Sequence, residues 1–376
     1  TATASATATA TSTATATPTD MPTATATATA TSTATATATS VPPPQFIVND
    51  PGDAGDANTA DGVCQTAGGV CTLRAALQQA NVRPGTDDIW FALTGSAPYV
   101  IAISTPLPVI TEAINIDGRT QSGWLSTPLI ELRGMPTFGN GLEITGGGSS
   151  VRGLAITRFW GHGILLSTGG GNTIEGNYVG IMADGITPLM NSGSGISIED
   201  SAGNSIGGTT PETRNVFSSN AINGIRVWGS ASVGNRIIGN YVGVAADGVT
   251  PRGNFDDGID LMDSTETEIG GVNPGEGNIV AANGDTGIVL KTGNTTARIL
   301  GNLIYSNNGM EIDLANNGVT PNDGMLNSGL PDQGMDMPII SVAQLSGSDL
   351  MVSGYIGIAP GQAVFGGTRV EIYLST

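Results

Sequence analysis

The chain has 376 residues, 56 of them glycine, with only 12% charged residues and a formal net charge of −19. This acidic balance, with no basic stripe, argues against nucleic-acid binding, and no apolar run is long enough for a membrane span. Abundant glycine and scarce aromatics (5%) suit a stack of short strands and tight corners better than an open enzyme fold.

Residues 1–44 form a low-complexity arm of alternating Thr and Ala, broken by Pro18 and Pro22 and ending at Pro42-Pro-Pro44. Composition alone reads as a disordered linker or stalk. The strict period of two offers a second reading, in which an extended chain turns every Thr to one face and every Ala to the other. The Ala face could then lie on a neighbouring copy while the Thr face carries O-linked sugars, at candidates Thr25, Thr27, Thr29, Thr33, Thr35 and Thr37. The sequence starts inside this tract, so the natural N-terminus is expected upstream and the lack of a leader carries no weight.

Residues 45–90 are expected to form a cap. Phe46-Ile-Val48 reads as a first strand, and Cys71 to Asn81 as a short helix with Thr72 as N-cap. Leu73, Ala76, Leu77 and Ala80 make one apolar stripe along it. Cys64 and Cys71 have no second Cys/His pair for zinc, so a small-loop disulfide is expected, and with it an oxidising, extracytoplasmic location. Asp56, Asn58 and Asp61 sit in a loop that faintly resembles a calcium site, although Gly62 falls one position late for an EF-hand.

Residues 91–316 carry the dominant pattern. Five times between Gly163 and Asn308 three clauses recur. The first is Gly-Ile-x followed by an apolar residue, beginning at Gly163, Gly195, Gly224, Gly258 and Gly287. The second centres on Ile174, Ile206, Ile237, Ile269 and Ile299. The third is Asn plus a short apolar pair, opening at Asn177, Asn215, Asn240, Asn278 and Asn302. Three strands per repeat, each too short to bury a core alone, describe one coil of a parallel β-helix. Alternation turns Ile164, Ile196, Ile225, Ile259 and Ile288 inward, and sends Leu165, Ser197, Arg226, Asp260 and Val289 outward. The Asn opening each third strand is expected to stack with its neighbours, because an amide both donates and accepts at the strand spacing of ~4.8 Å. Long corners alternate with short ones: Ala183-Asp-Gly-Ile-Thr-Pro188 returns as Ala246-Asp-Gly-Val-Thr-Pro251. Gly141–Ile144 with Leu154–Ile156, and less clearly Val109–Asp117 with Leu129–Leu132, extend the pattern upstream.

Cys71-Thr-Leu-Arg-Ala-Ala76 resembles the Cys-Ser-Leu-Arg-Glu-Ala signature that precedes a right-handed β-helix in secreted bacterial proteins. The Asn-Tyr-Val-Gly, Ala-Asp-Gly and Ile-Gly-Gly repeats are similar to those of the pectate-lyase-like superfamily, over roughly residues 46 to 335. Ala75 replaces the usual Glu, so an ion pair made by that Glu is missing. The resemblance implies a fold and an extracellular or surface location more firmly than a reaction, since such proteins include adhesins as well as lyases and hydrolases.

Residues 317–336 read as an Asx/Gly-rich linker. Residues 337–376 alternate as about three antiparallel strands, the opening of an Ig-like β-sandwich that is expected to continue past Thr376 or to borrow a partner strand.

Polysaccharide cleavage on such a rod would need carboxylates in adjacent coils beside a basic residue. Arg226, Asp260 and Asp263 are the catalytic candidates, with Trp228 and Asp257 nearby. The plainer expectation is a cross-coil ion pair or ladder contact between Arg226 and Asp260. His162 is the single histidine, and no Ser or Cys marks a triad around it. Further carboxylates at Asp313 and Asp323 are secondary calcium candidates; no cofactor is required by any motif. The expected function is a secreted structural or adhesive β-helix, a filament subunit interacting with its own copies and with extracellular polysaccharides. The alternative is a polysaccharide lyase or glycosidase, or a noncatalytic carbohydrate-binding β-helix.

Overall fold

The computed structural model describes residues 46–366, apart from 136–138, 293–294, 328 and 348. The Thr/Ala arm and the expected last strand after Gly366 lie outside the described residues. Three parallel sheets of nine, eight and seven strands, here A, B and C, form a right-handed parallel β-helix. Each coil contributes the second clause to sheet A, the third to sheet B and the first to sheet C.

Register follows the repeat. Ile164, Ile196, Ile225, Ile259 and Ile288 pair one above another in sheet C, and all five are fully buried. Ile174, Ile206 and Ile237 do the same in sheet A. A single hydrophobic core therefore runs the length of the solenoid, from Phe46 to Leu290.

Side-chain amides complete the corners. The expected column at the start of the third strands exists, with Asn177, Asn215, Asn240 and Asn278 each donating to the next Asn Oδ1, the last to Asn302, at 2.8–3.1 Å. Two more ladders flank it: Asn172–Asn204–Asn235 before sheet A, and Asn191–Asn220–Asn254–Asn283–Asn307 between sheets B and C. Spare amide protons go to carbonyls of the preceding coils, such as Asn240 Nδ2 to Ile206 O at 2.9 Å. Corner backbone that no regular ladder could satisfy is thereby paired in a dry interior.

The repeated Gly after each Tyr-Val pair has a steric cause. Gly180 and Gly243 hold φ of 92° and 87°, and a Cβ at either would collide with the Ser218 or Ala281 carbonyl of the next coil. The long corners fold back as paired loops, closed by bridges Ile181–Pro188 and Val244–Pro251. They stack on each other through Ala246 N to Gly185 O at 2.9 Å and Arg252 Nε to Ile186 O at 2.6 Å.

The N-terminal end is plugged by the helix Leu73–Ala80. Thr72 caps it, Oγ1 accepting from Ala75 N, and Leu73, Ala76, Leu77 and Ala80 join the core beside Phe46 and Val48. A disulfide links Cys64 to Cys71 just before the helix. Arg74, lacking a Glu neighbour, pairs with Asp53 at 2.7 Å and donates to the Thr105 and Pro106 carbonyls. That arrangement fixes the cap to the first coils.

The stretch expected as a linker folds back on the other end. Asp332 accepts from Ala297 N at 2.9 Å and donates its own N–H to Thr295 O at 3.1 Å, and Pro331 is buried. Backbone at the edge of sheet A is thus occupied. Burial raises the Asp332 pKa from 3.8 to about 6. The docked carboxyl holds its proton more tightly than an undocked one, so docking gains stability as pH falls through about 6 and loses it as pH rises. Amide-exchange protection at Ala297–Leu300, corrected for intrinsic rates, is expected to increase from pH 7 to about pH 5, and Asp332→Asn to flatten that dependence. Equal pH dependence in the variant would discount Asp332.

Beyond the solenoid, Pro338–Ser346 and Asp349–Ile356 form an antiparallel pair with a register shift between Ile340 and Val342. These are the first two of the three strands expected there.

Candidate functional site

Sheet C presents the chemistry. Arg226 and Asp260 are register partners on the strands Ile225–Trp228 and Ile259–Met262, as alternation requires. The expected ladder contact between adjacent coils is therefore present, but not the ion pair. Arg226 Nη1 turns back one coil to Glu199 Oε1 at 3.8 Å, and its guanidinium lies 4.9 Å from the Trp228 ring centroid. Asp260 turns forward to Lys291 Nζ at 3.1 Å. Long side chains reach a neighbouring coil and the next position along the strand more readily than their direct register partner.

Asp260 points outward yet is only 4% exposed, because Lys291 and Asn223 cover it. Asn223 Nδ2 donates to Oδ2 at 2.9 Å, while Oδ1 has no hydrogen-bond partner. A buried carboxylate oxygen without a donor is costly and calls for an explanation. Burial raises the Asp260 pKa, against the pull of Lys291 and Arg226; it raises Asp257 likewise. Burial alone would lower Lys291, but Asp260 and Asp257 outweigh it and hold the ammonium charged.

Asp257 is 2% exposed, takes Lys291 Nζ at 3.0 Å on Oδ2 and accepts Thr286 N on Oδ1. Asp256, Asp257 and Asp285 bring carboxylate oxygens within 4.8 Å of one another. Lys291 already supplies positive charge to that group.

His162 lies at the corner leading into the same sheet. Its Nδ1 accepts from Ser194 N at 3.0 Å, which leaves the ring proton on Nε2, 4.0 Å from Glu199 Oε1. Burial lowers its pKa, with Arg226 adding to the effect and Glu199 opposing it. A neutral imidazole in this tautomer donates from Nε2 and is unsuited to act there as a base. Ser194 Oγ is buried without a partner.

The cluster therefore spans Glu199, Arg226, Trp228, Asp260 and Lys291 across four consecutive coils, with His162 and Asn223 along one side. It offers a guanidinium, a half-exposed indole, an N–H donor and one buried acid. Asp263 takes no part in its ion pairs: it sits past the strand end at φ 55°, its amide bonded to Thr292 Oγ1. Glu199 and Lys291 escaped the sequence reading. Each occupies the position of Trp228 in its own repeat, one step beyond Ile198 and Leu290, so carrying the alternation one residue further exposes both.

The calcium candidates are placed elsewhere, in turns. Asp56 accepts from Asn58 N and Gln65 N, Asn58 from Ala60 N, and Asp61 from Val63 N. Asp313 accepts from Asn317 N and Gly318 N, and Asp323 from Met325 N. These oxygens stabilise local turns.

A crystal structure of the periplasmic alginate epimerase AlgG, in mutant form, is similar at 16% identity and a TM-score of 0.37, over 61% of this chain and 50% of that one. The chain thus spans about half the length of that epimerase. An alginate lyase from Paenibacillus sp. str. FPU-7 is similar at 17% identity and a TM-score of 0.27, over 71% of this chain and 99% of the lyase. Residues 140–323, the regular coils, match the family described as right handed beta helix region.

Proposed function

We propose that this chain is a carbohydrate-active β-helix that binds a linear acidic polysaccharide on sheet C and acts on it by proton transfer at Asp260. The observation that carries the reading is the buried Asp260 carboxyl, with one oxygen lacking a donor, between Arg226 and Lys291 on an outward face. Coils rise by ~4.8 Å, comparable to one sugar residue, so side chains on successive coils can meet successive sugars. Arg226 would neutralise a sugar carboxylate and Trp228 would carry a ring face; with the Lys291 side chain displaced by the bound polymer, Asp260 would take the proton next to that carboxylate as the glycosidic C–O bond on the neighbouring carbon breaks, the departing oxygen taking a proton from water.

The disulfide supports an oxidising compartment outside the cytoplasm, and no described helix is long and apolar enough to cross a membrane. The filament reading rests in part on the Thr/Ala arm and its glycosylation candidates Thr25 to Thr37, which lie outside the described residues, and the sheet C cluster supports carbohydrate recognition more directly.

Incubation with acidic and neutral polysaccharides, with and without calcium, tests the proposal by following unsaturated and reducing ends. Asp260→Asn is expected to lose turnover by about 100-fold or more with binding retained, and Arg226→Ala to weaken binding about tenfold. Saturable binding without new ends would leave a noncatalytic binding module. No binding to any of the polymers would end the carbohydrate reading of sheet C.

A further inference from the structure

Sheet B carries an independent feature on its outer side. Its register aligns Val100, Glu131, Ala155, Tyr178, Val216 and Tyr241 in one outward column. Such a column would ordinarily be polar. Its middle is covered by the folded-back corners, where Ala183 and Ala246 pack on Ala155, Tyr178, Ile181 and Val216. Toward the N-terminal end the cover stops, and a cleft of about 350 Å³ opens, lined mainly by Ala97, Pro98, Pro128, Leu129, Met182 and Glu131.

Glu131 is the odd residue in this apolar setting. It is fully buried, and Arg133 Nε (2.8 Å) and Thr157 Oγ1 (3.4 Å) both donate to Oε1, whereas Oε2 has no partner. Arg133 already balances the charge, so what the site lacks is a hydrogen-bond donor and not a second cation. A cleft of this size, with apolar walls and one unmet polar group, has the character of a small-molecule site. A purely apolar ligand would leave Oε2 unmet. A sugar carboxylate has no proton to donate to Glu131 Oε2 and would meet the Asp184 carboxylate at the rim, which is of the wrong sign. A neutral sugar ring has the matching surface, with C–H faces for proline and methionine and hydroxyls that donate.

We infer that this cleft binds a neutral pyranose, which lays a C–H face on Pro98, Pro128 and Met182 and donates a hydroxyl hydrogen bond to Glu131 Oε2. The site needs nothing from sheet C, whose chemistry favours an acidic chain.

Saturation-transfer NMR of the full chain with methyl β-D-glucopyranoside, methyl β-D-galactopyranoside and methyl α-D-mannopyranoside tests it. At least one is expected to bind saturably, with a dissociation constant of about 1–10 mM. Met182→Trp fills the cleft from its outer wall and should weaken that binding about tenfold or more with an unchanged unfolding transition, while Arg226→Ala leaves it intact. Glu131→Gln should also weaken it; should that variant not fold, Met182→Trp still decides. Three silent probes, binding that survives Met182→Trp, or binding lost instead in Arg226→Ala would each overturn the assignment.

Discussion

Asn240→Leu is expected to lower the unfolding free energy by about 3–5 kcal/mol, through acceptors left unpaired in the interior. Asn240 is fully buried at the centre of its ladder. Its Nδ2 donates to Ile206 O, Ile238 O and Asn278 Oδ1 at 2.9–3.0 Å, and its Oδ1 accepts from Asn215 at 3.0 Å. Leucine is of similar size but satisfies none of these groups, and water cannot reach them. Asn302, at the ladder's end, is 5% exposed and also donates to the Ile269 and Leu300 carbonyls. No further Asn receives its amide among the described residues, so Asn302→Leu should cost less. Denaturant unfolding measures both, and amide exchange should show the coils around residue 240 opening first in the Asn240 variant. A loss below about 1 kcal/mol at Asn240 would mean that the ladders contribute little beyond the apolar core.

Lys291→Met is expected to cost about 3–5 kcal/mol near neutral pH, because it strands two buried carboxylates. Asp257 and Asp260 keep 2% and 4% exposure, and Lys291 is the cation that touches both. The penalty should depend on pH. Burial has already raised both carboxyl pKa values, so the folded state binds their protons more tightly than the unfolded chain does. Removing the ammonium strengthens that preference, and the folded variant recovers stability as pH falls toward the ordinary carboxyl range near 4. The difference from the parent protein should therefore be largest above the folded pKa values and narrow toward about pH 4. Urea titrations at the two ends of that range measure it. An equal penalty at both would trace the loss to packing of the lysine stem and not to charge.

The inward columns were legible because a stack of identical coils repeats its spacing: Ile196, Ile225 and Ile259 announce one another. The helix cap was legible from Thr72 and the spacing of Leu73, Ala76 and Leu77. Partnerships on the outer face were not. Arg226 and Asp260 were identified as neighbours, but each reaches a different coil, since side-chain length and not register decides which groups meet. Alternation gives direction and not exposure: Asp260, Ser197 and Val289 point outward and are all buried. The Asn191 to Asn307 ladder was hidden because insertions of unequal length separate its members by 24 to 34 residues. The buried Glu131 had no signal, lying in an upstream coil where the repeat is weak.

The amide ladders also bear on how such a rod can change its length. Asn177, Gly180 and Asp184 recur two coils later as Asn240, Gly243 and Asp247, in the same ladder, the same corner and the same folded-back loop. Each coil offers its successor the surface it accepts from its predecessor. Duplication of a two-coil block would create no unfamiliar junction, while loss or gain of one residue within a strand would misalign three ladders at once. Length in such a stack is therefore quantised, with the two-coil block as its natural unit.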